Sequence, residues 1–190
     1  IDMTSMRIHS RLACSEVNGP GRRAVIWVQG CSLACDGCFN PESHQLDVPE
    51  SDLVEVSKLV DWVDNCGVEG LTISGGEPFQ QLDAVIDLGA KVRERGLSVL
   101  IFTGYTKRQA LEKVSRERLE TACDVLIAGP YVRSLHIAEG LRGSSNKEYV
   151  FLSDRYSSAT LAGHCDAEII IDEFGVVTIT GMKIPILGRP

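Results

Sequence analysis

Short, largely apolar runs punctuate the first two thirds of the chain. They are Ala24-Val25-Ile26-Trp27-Val28, Leu71-Thr72-Ile73-Ser74, Leu97-Ser98-Val99-Leu100-Ile101-Phe102 and Asp124-Val125-Leu126-Ile127. Runs of strand length without strict alternation suit strands buried on both faces. Between them, apolar positions recur at helical spacing. Leu53, Val56, Leu59, Val60 and Val63 mark one face of a helix opened by Pro49-Glu50-Ser51-Asp52, with Ser51 as N-cap and Gly67 as stop. Leu82, Val85, Ile86 and Leu88 mark a second helix, over about residues 81–95, closed by Gly96. Thr106 and Gln109 form a capping box that starts a third, running to about residue 117. Residues 7–14 read as a weaker strand, followed by a turn at Asn18-Gly19-Pro20-Gly21.

Strand, loop and helix therefore alternate from residue 24 to residue 130, as parallel strands joined by crossover helices do. Each predicted strand ends in a Gly-containing loop, which gathers the distinctive loops on one rim. After residue 130 the pattern changes. Residues 136–147 read as irregular, 149–152 as a fifth strand, and 168–172 with 176–180 as a hairpin around Glu173-Phe174-Gly175. The expected fold class is α/β: a partial, laterally open (β/α) barrel of about five or six mainly parallel strands with a C-terminal β-hairpin extension. Residues 1–147 form the core domain in this reading, and 148–190 an extension packed on it.

Composition narrows the class. The 190 residues are 44% hydrophobic and 24% charged, ordinary for a globular protein with a real core. No apolar run approaches the roughly 20 residues of a membrane span, and the first residues lack the apolar stretch of a signal peptide. A net charge of −7 argues against a general nucleic-acid backbone binder. Seven cysteines, an odd number, argue against a disulfide framework and for the reducing cytoplasm. Cys14, Cys66, Cys123 and Cys165 stand alone and read as small buried apolar residues.

The other three cysteines are the chemical feature. Cys31-Ser32-Leu33-Ala34-Cys35-Asp36-Gly37-Cys38-Phe39-Asn40 places Cys31, Cys35 and Cys38 within eight positions, directly after a buried strand. Such a trio suits an iron–sulfur cluster in which three thiolates leave one iron open. Zinc and a redox Cys35-x-x-Cys38 pair are the rivals. Zinc lacks a fourth ligand at standard spacing, although His44 is near; the redox pair leaves Cys31 unexplained.

The cysteine loop, with Ser74-Gly75-Gly76-Glu77-Pro78 after the next strand, resembles the radical S-adenosylmethionine (SAM) superfamily. Within it, the chain most resembles the activating enzymes of glycyl radical enzymes, in particular those of anaerobic ribonucleotide reductases. Gly37 before the third cysteine, Phe39-Asn40 after it, Asn18-Gly19-Pro20-Gly21, Thr103-Gly104-Tyr105-Thr106, residues 124–129 and Arg142-Gly143-Ser144-Ser145-Asn146 carry that likeness in order. The resemblance implies a 4Fe-4S cluster on Cys31, Cys35 and Cys38. It also implies SAM bound near Gly37, Cys38, Phe39, Asn40, Gly75, Gly76 and Glu77. Reductive cleavage of SAM would then give a 5′-deoxyadenosyl radical, which abstracts hydrogen from a glycine of a partner enzyme. A flavodoxin- or ferredoxin-type protein would supply the electron, with no nucleic acid or membrane involved. The alternative is the same chemistry on a small metabolite or peptide. From the residues themselves, Glu77 is either a ligand for an ammonium or a solvated loop acid, and Phe39 either an adenine platform or core packing. The Arg142–Asn146 segment is either an anion site or a surface loop.

Overall fold

The structure is a computed structural model that describes residues 4–47, 49, 53–163 and 167–181. Eleven strands form among them: β1 (Ser5–Ser15), β2 (Arg23–Val28), β3 (Leu53–Glu55), β4 (Gly70–Gly75), β5 (Ser98–Thr103), β6 (Val125–Ala128), β7 (His136–Glu139), β8 (Arg142–Ser144), β9 (Glu148–Phe151), β10 (Ala167–Ile171) and β11 (Val177–Gly181). The helices are α1 (Val56–Asn65), α2 (Leu82–Glu94), α3 (Lys107–Lys113), α4 (Arg116–Ala122) and α5 (Ser158–Ala162).

Seven strands make one sheet, in the order β3-β1-β2-β4-β5-β6-β9. The four central strands, β2, β4, β5 and β6, run parallel, while β1 pairs antiparallel with β2 and β3, and β9 antiparallel with β6. The apolar runs are thus the central parallel strands, as expected. The sheet has two more strands than the lower expectation, and its pairing ends at β3 and β9 without closing into a barrel.

The pleat sorts side chains to two faces. Ala24, Ile26, Val28, Leu71, Ile73, Val99, Ile101, Leu126 and Ala128 join residues of α1, α2 and α4 in the main core. Their neighbours Leu100, Phe102, Val125 and Ile127 turn to the other face, where Leu141, Leu161, Tyr149 and Tyr156 make a smaller core. α1, α2 and α4 cover the first face, while the second carries only the short α5 and leaves room beside it to wall a site.

Local chemistry explains the departures from expectation. The first helix starts at Val56 with Glu55 as N-cap, and Leu53 lies exposed in β3. Its expected cap, Ser51, lies outside the described residues. The third helix is two: Thr106 supplies its capping box, but Ser115 accepts from the Arg118 N–H and starts α4. A second Ser cap within a charged run was readable and outweighs continuity. Residues 136–147, expected irregular, hold the β7–β8 hairpin. No helix among the described residues is long and apolar enough to cross a membrane.

At the edge of the sheet where the parallel strands begin, Arg23 is fully buried. Its guanidinium donates to Thr72 Oγ1 (2.8 Å), Ser98 Oγ (2.8 Å) and the Leu71 carbonyl (2.6 Å), tying β2, β4 and β5 together. Burial lowers its pKa to about 10, with the Tyr156 hydroxyl, itself in hydrogen-bond range, pulling the other way.

Gly89 sets the separation of α2 and α4, because a Cβ there would stand 2.3 Å from the Ala122 carbonyl oxygen. Gly89→Ala adds about 1 kcal/mol of helix propensity, but forcing two backbones apart costs about 1–3 kcal/mol. The expected net result is a lower urea midpoint. A raised midpoint would show that α4 moves away freely.

Candidate active site

The rim at the C-terminal ends of β2 and β4 is built backbone to backbone. Gly76 N–H donates to the Val28 carbonyl (2.8 Å) and Glu77 N–H to the Gly30 carbonyl (2.9 Å). Only glycine allows this approach. A Cβ on Gly75 (φ +101°) would lie 2.4 Å from Val28 N, and one on Gly76 2.4 Å from Gly30 O. The first demand on the two glycines is therefore the neighbouring strand end, and the loop they form also walls the cavity beside them.

The cysteine loop leaves this rim through Gly30 (φ +101°), whose N–H donates to the Ser43 carbonyl (2.7 Å). Ala34 (φ +47°) and Gly37 (φ +69°) turn it left-handedly, and Cys38 N–H closes on the Cys35 carbonyl (3.2 Å). Gln80 pins the loop, accepting from Ser32 N–H (3.2 Å) and donating to Ser32 Oγ (2.7 Å). Gln81 accepts from Arg7 N–H (2.7 Å) and donates to the Arg7 and Gln29 carbonyls, fixing β1 to the end of β2. A short 3-10 turn, Pro41–His44, brings His44 Nε2 to 3.3 Å from Cys38 Sγ.

A cavity of about 300 Å³ opens on the face opposite α1, α2 and α4. Cys31, Cys35, Cys38, Phe39, Asn40, Gly75, Gly76 and Glu77 all line it. Gly37 does not; its place is the turn, where a Cβ would meet the Arg133 side chain at 3.2 Å. Burial pushes the Cys31 and Cys38 thiols up, so metal binding there releases protons. Among the described residues no three His, Cys, Asp or Glu side chains converge on a single-ion position. A cubane does not ask for that, since each thiolate meets its own iron. Three thiols on one short loop in one cavity wall fit such a cluster.

Glu77 is 1% exposed. Its Oε1 accepts from Phe79 N–H (2.8 Å) and Thr103 Oγ1 (2.7 Å), and its Oε2 from Gly104 N–H (2.7 Å). It is neither a solvated loop acid nor a free carboxylate. Burial raises its pKa, while those three donors favour the charged form. Thr103 and Gly104 are thereby its partners.

Phe39 sits in an aromatic group, 4.8 Å from the Tyr131 ring and 5.9 Å from His136, with Tyr131 Oη 3.2 Å from His136 Nδ1. Gly143 faces it so closely that a Cβ would lie 2.6 Å from the ring. The Arg142–Asn146 segment is thus more than a surface loop: its first three residues form β8, and Gly143 and the following Lys147 line the cavity. Among the described residues Lys147 is the one Lys or Arg doing so. Its Nζ donates to the Gly129 carbonyl. Burial lowers its pKa, against the pull of Glu77, Cys35 and Cys38. Lys147, Tyr131, Gln80 and Gln81 were missed from sequence. Only the Gln pair left a signal, as polar residues just beyond Gly-Gly-Glu-Pro, after Phe79.

Glu77→Gln turns an acceptor into an amide N–H facing Gly104 N–H. The expected cost is about 1–3 kcal/mol, read as a lower urea midpoint, together with less iron bound per chain after anaerobic reconstitution. Unchanged values in both would show that the three bonds are dispensable.

Comparison with known proteins agrees with this geometry. A family model described as a 4Fe-4S single cluster domain matches residues 17–150. The chain is 30% identical to the anaerobic ribonucleoside-triphosphate reductase-activating protein of Enterobacteria phage T4, over 70% of this chain and 86% of that one. It is 32% identical to the pyruvate formate-lyase-activating enzyme of Staphylococcus aureus (strain USA300), over 53% of this chain but only 42% of that protein. The solved structure of QueE from Escherichia coli aligns at 18% identity and a TM-score of 0.44 over 54% of each chain, too distant to bear on the fold. With the cluster-domain match spanning most of the chain and a relative covered along most of its length, this chain belongs to the radical SAM family of 4Fe-4S single cluster domain enzymes.

Proposed function

We propose that the chain binds SAM at its 4Fe-4S cluster and removes a hydrogen atom from a backbone glycine of a partner enzyme. The observation that carries this is a single cavity walled by all three thiols, the Ser74–Gly76 backbone and the Phe39–Tyr131 aromatic group. Bound SAM supplies, on one-electron reduction, the primary carbon radical that abstracts hydrogen. The chain's residues hold and aim it. Cys31, Cys35 and Cys38 hold the cluster. The Glu77 carboxylate is engaged by three protein donors, so the SAM ammonium falls to the backbone of the loop it braces. Phe39 and Tyr131 offer an apolar wall to the adenine, and Lys147 a cation to the carboxylate. The activating-protein relatives support a protein glycine as target. A flavodoxin- or ferredoxin-type donor supplies the electron.

A second reading, a small metabolite or short peptide as substrate, draws on one observation: Thr178, Ile179, Thr180 and Gly181 of the hairpin also line the cavity and narrow it.

Reconstituted protein with reductant and SAM should release 5′-deoxyadenosine and methionine, and Cys35→Ala should fall to background. Addition of a glycyl radical enzyme should produce a glycyl-radical EPR doublet. Turnover of a small substrate without that doublet would favour the second reading. Undiminished product from Cys35→Ala would end both.

A further inference from the structure

The C-terminal hairpin is inside out. By its register, Ile169 stands opposite Ile179 and Ile171 opposite Val177, so these four share one face. All four are exposed, Ile169 at 65% and Ile171 at 67%. Phe174 (84%) and Val176 extend the apolar surface at the turn, which Asp172 Oδ1 closes by accepting from both their N–H groups. The opposite face, Glu168, Ile170, Thr178 and Thr180, turns toward the body, where Asn18 Nδ2 donates to the buried Thr180 Oγ1 (2.9 Å). Alternation would normally put the Thr and Glu side chains outward and the Ile and Val inward. A contiguous apolar surface of this kind marks an interaction site.

Its position says what covers it. β11 contributes Thr178, Ile179, Thr180 and Gly181 to the cavity that holds the cysteines, and Ile179 belongs both to that wall and to the apolar face. The face is continuous with the cavity mouth. A second copy seated on it would crowd that mouth, whereas an extended polypeptide laid along it would lead past Ile179 into the cavity. β10 and β11 pair only with each other among the described residues, so each leaves a free edge for an extended segment. Glu168 faces the body, but Asp172 and Glu173 stand exposed at the turn and residues 167–181 hold no Lys or Arg, which favours a basic flank on the visitor.

We infer that the outward face of the β10–β11 hairpin is the docking surface for the protein substrate, an extended apolar segment with a basic flank whose glycine is thereby led into the cavity. This rests on the protein-glycine reading above.

The test uses full-length chain carrying Ile169→Thr and Ile171→Thr, changes that keep β-branched side chains and lie outside the cavity. The probe is a purified glycyl radical enzyme from the same source. SAM cleavage without partner should be unchanged, which shows that fold and cluster are intact. The KM for the partner should rise about tenfold or more, with kcat unchanged and partner binding weakened to match. Normal radical formation with an unaltered KM would overturn the docking surface and leave the function standing. Hairpin-dependent binding without any glycyl radical would leave the surface and overturn the function. Neither binding nor radical would overturn both. A wild-type dimer in sedimentation that the two changes disperse would assign the face to a second copy and overturn the inference.

Discussion

Everything in the site hangs on two strand ends that touch without side chains between them. The backbone of Gly75 and Gly76 lies against that of residues 27–30, and the bonds from Gly76 N–H to the Val28 carbonyl and from Glu77 N–H to the Gly30 carbonyl fasten it there. The cysteine loop departs from Gly30, and the 3-10 turn bearing Gln80 and Gln81 departs from Glu77. Those glutamines then return to hold Ser32 and Arg7. Position of the thiols is therefore inherited from the register of β2 on β4, through backbone contacts that tolerate little slack.

Buried polar groups lock both ends of the parallel strands, in opposite senses. At the site end, Glu77 gathers donors from the turn that follows it and from the end of β5. At the other end, Arg23 of β2 distributes its donors over β4 and β5, with no directly bonded carboxylate among the described residues. Each is costly to bury and more costly to leave unpaired. Between them the strand ends are fixed, while the helices on the far face supply the apolar stabilisation.

Much of this was legible in the sequence, because the governing signals are local. The four central strands followed from apolar runs, the gathering of Cys31, Cys35 and Cys38 on one cavity wall from spacing, and the C-terminal hairpin from two strand-like runs around Glu173-Phe174-Gly175. What escaped depends on distant partners. Glu77 read as a ligand or a solvated acid because Thr103 and Gly104 are remote in sequence. Arg23 carries no local signal, because its acceptors Thr72, Leu71 and Ser98 lie far along the chain. Lys147 and Tyr131 reach the cavity only because residues 136–147 fold into a short hairpin whose strands are too brief to show a period. The turn at Glu173-Phe174-Gly175 located the β10–β11 hairpin but not the polarity of its faces, which reverses the usual rule.

The central claim is that the cavity exists to take hydrogen from a glycine of another protein. The most direct measurement is to prepare the partner glycyl radical enzyme with deuterated glycine and run one turnover with the reconstituted chain, reductant and SAM. Mass spectrometry then reads the 5′-deoxyadenosine released. The account predicts that the product carries a single deuterium. Unlabelled 5′-deoxyadenosine formed in step with consumption of a small molecule would contradict it.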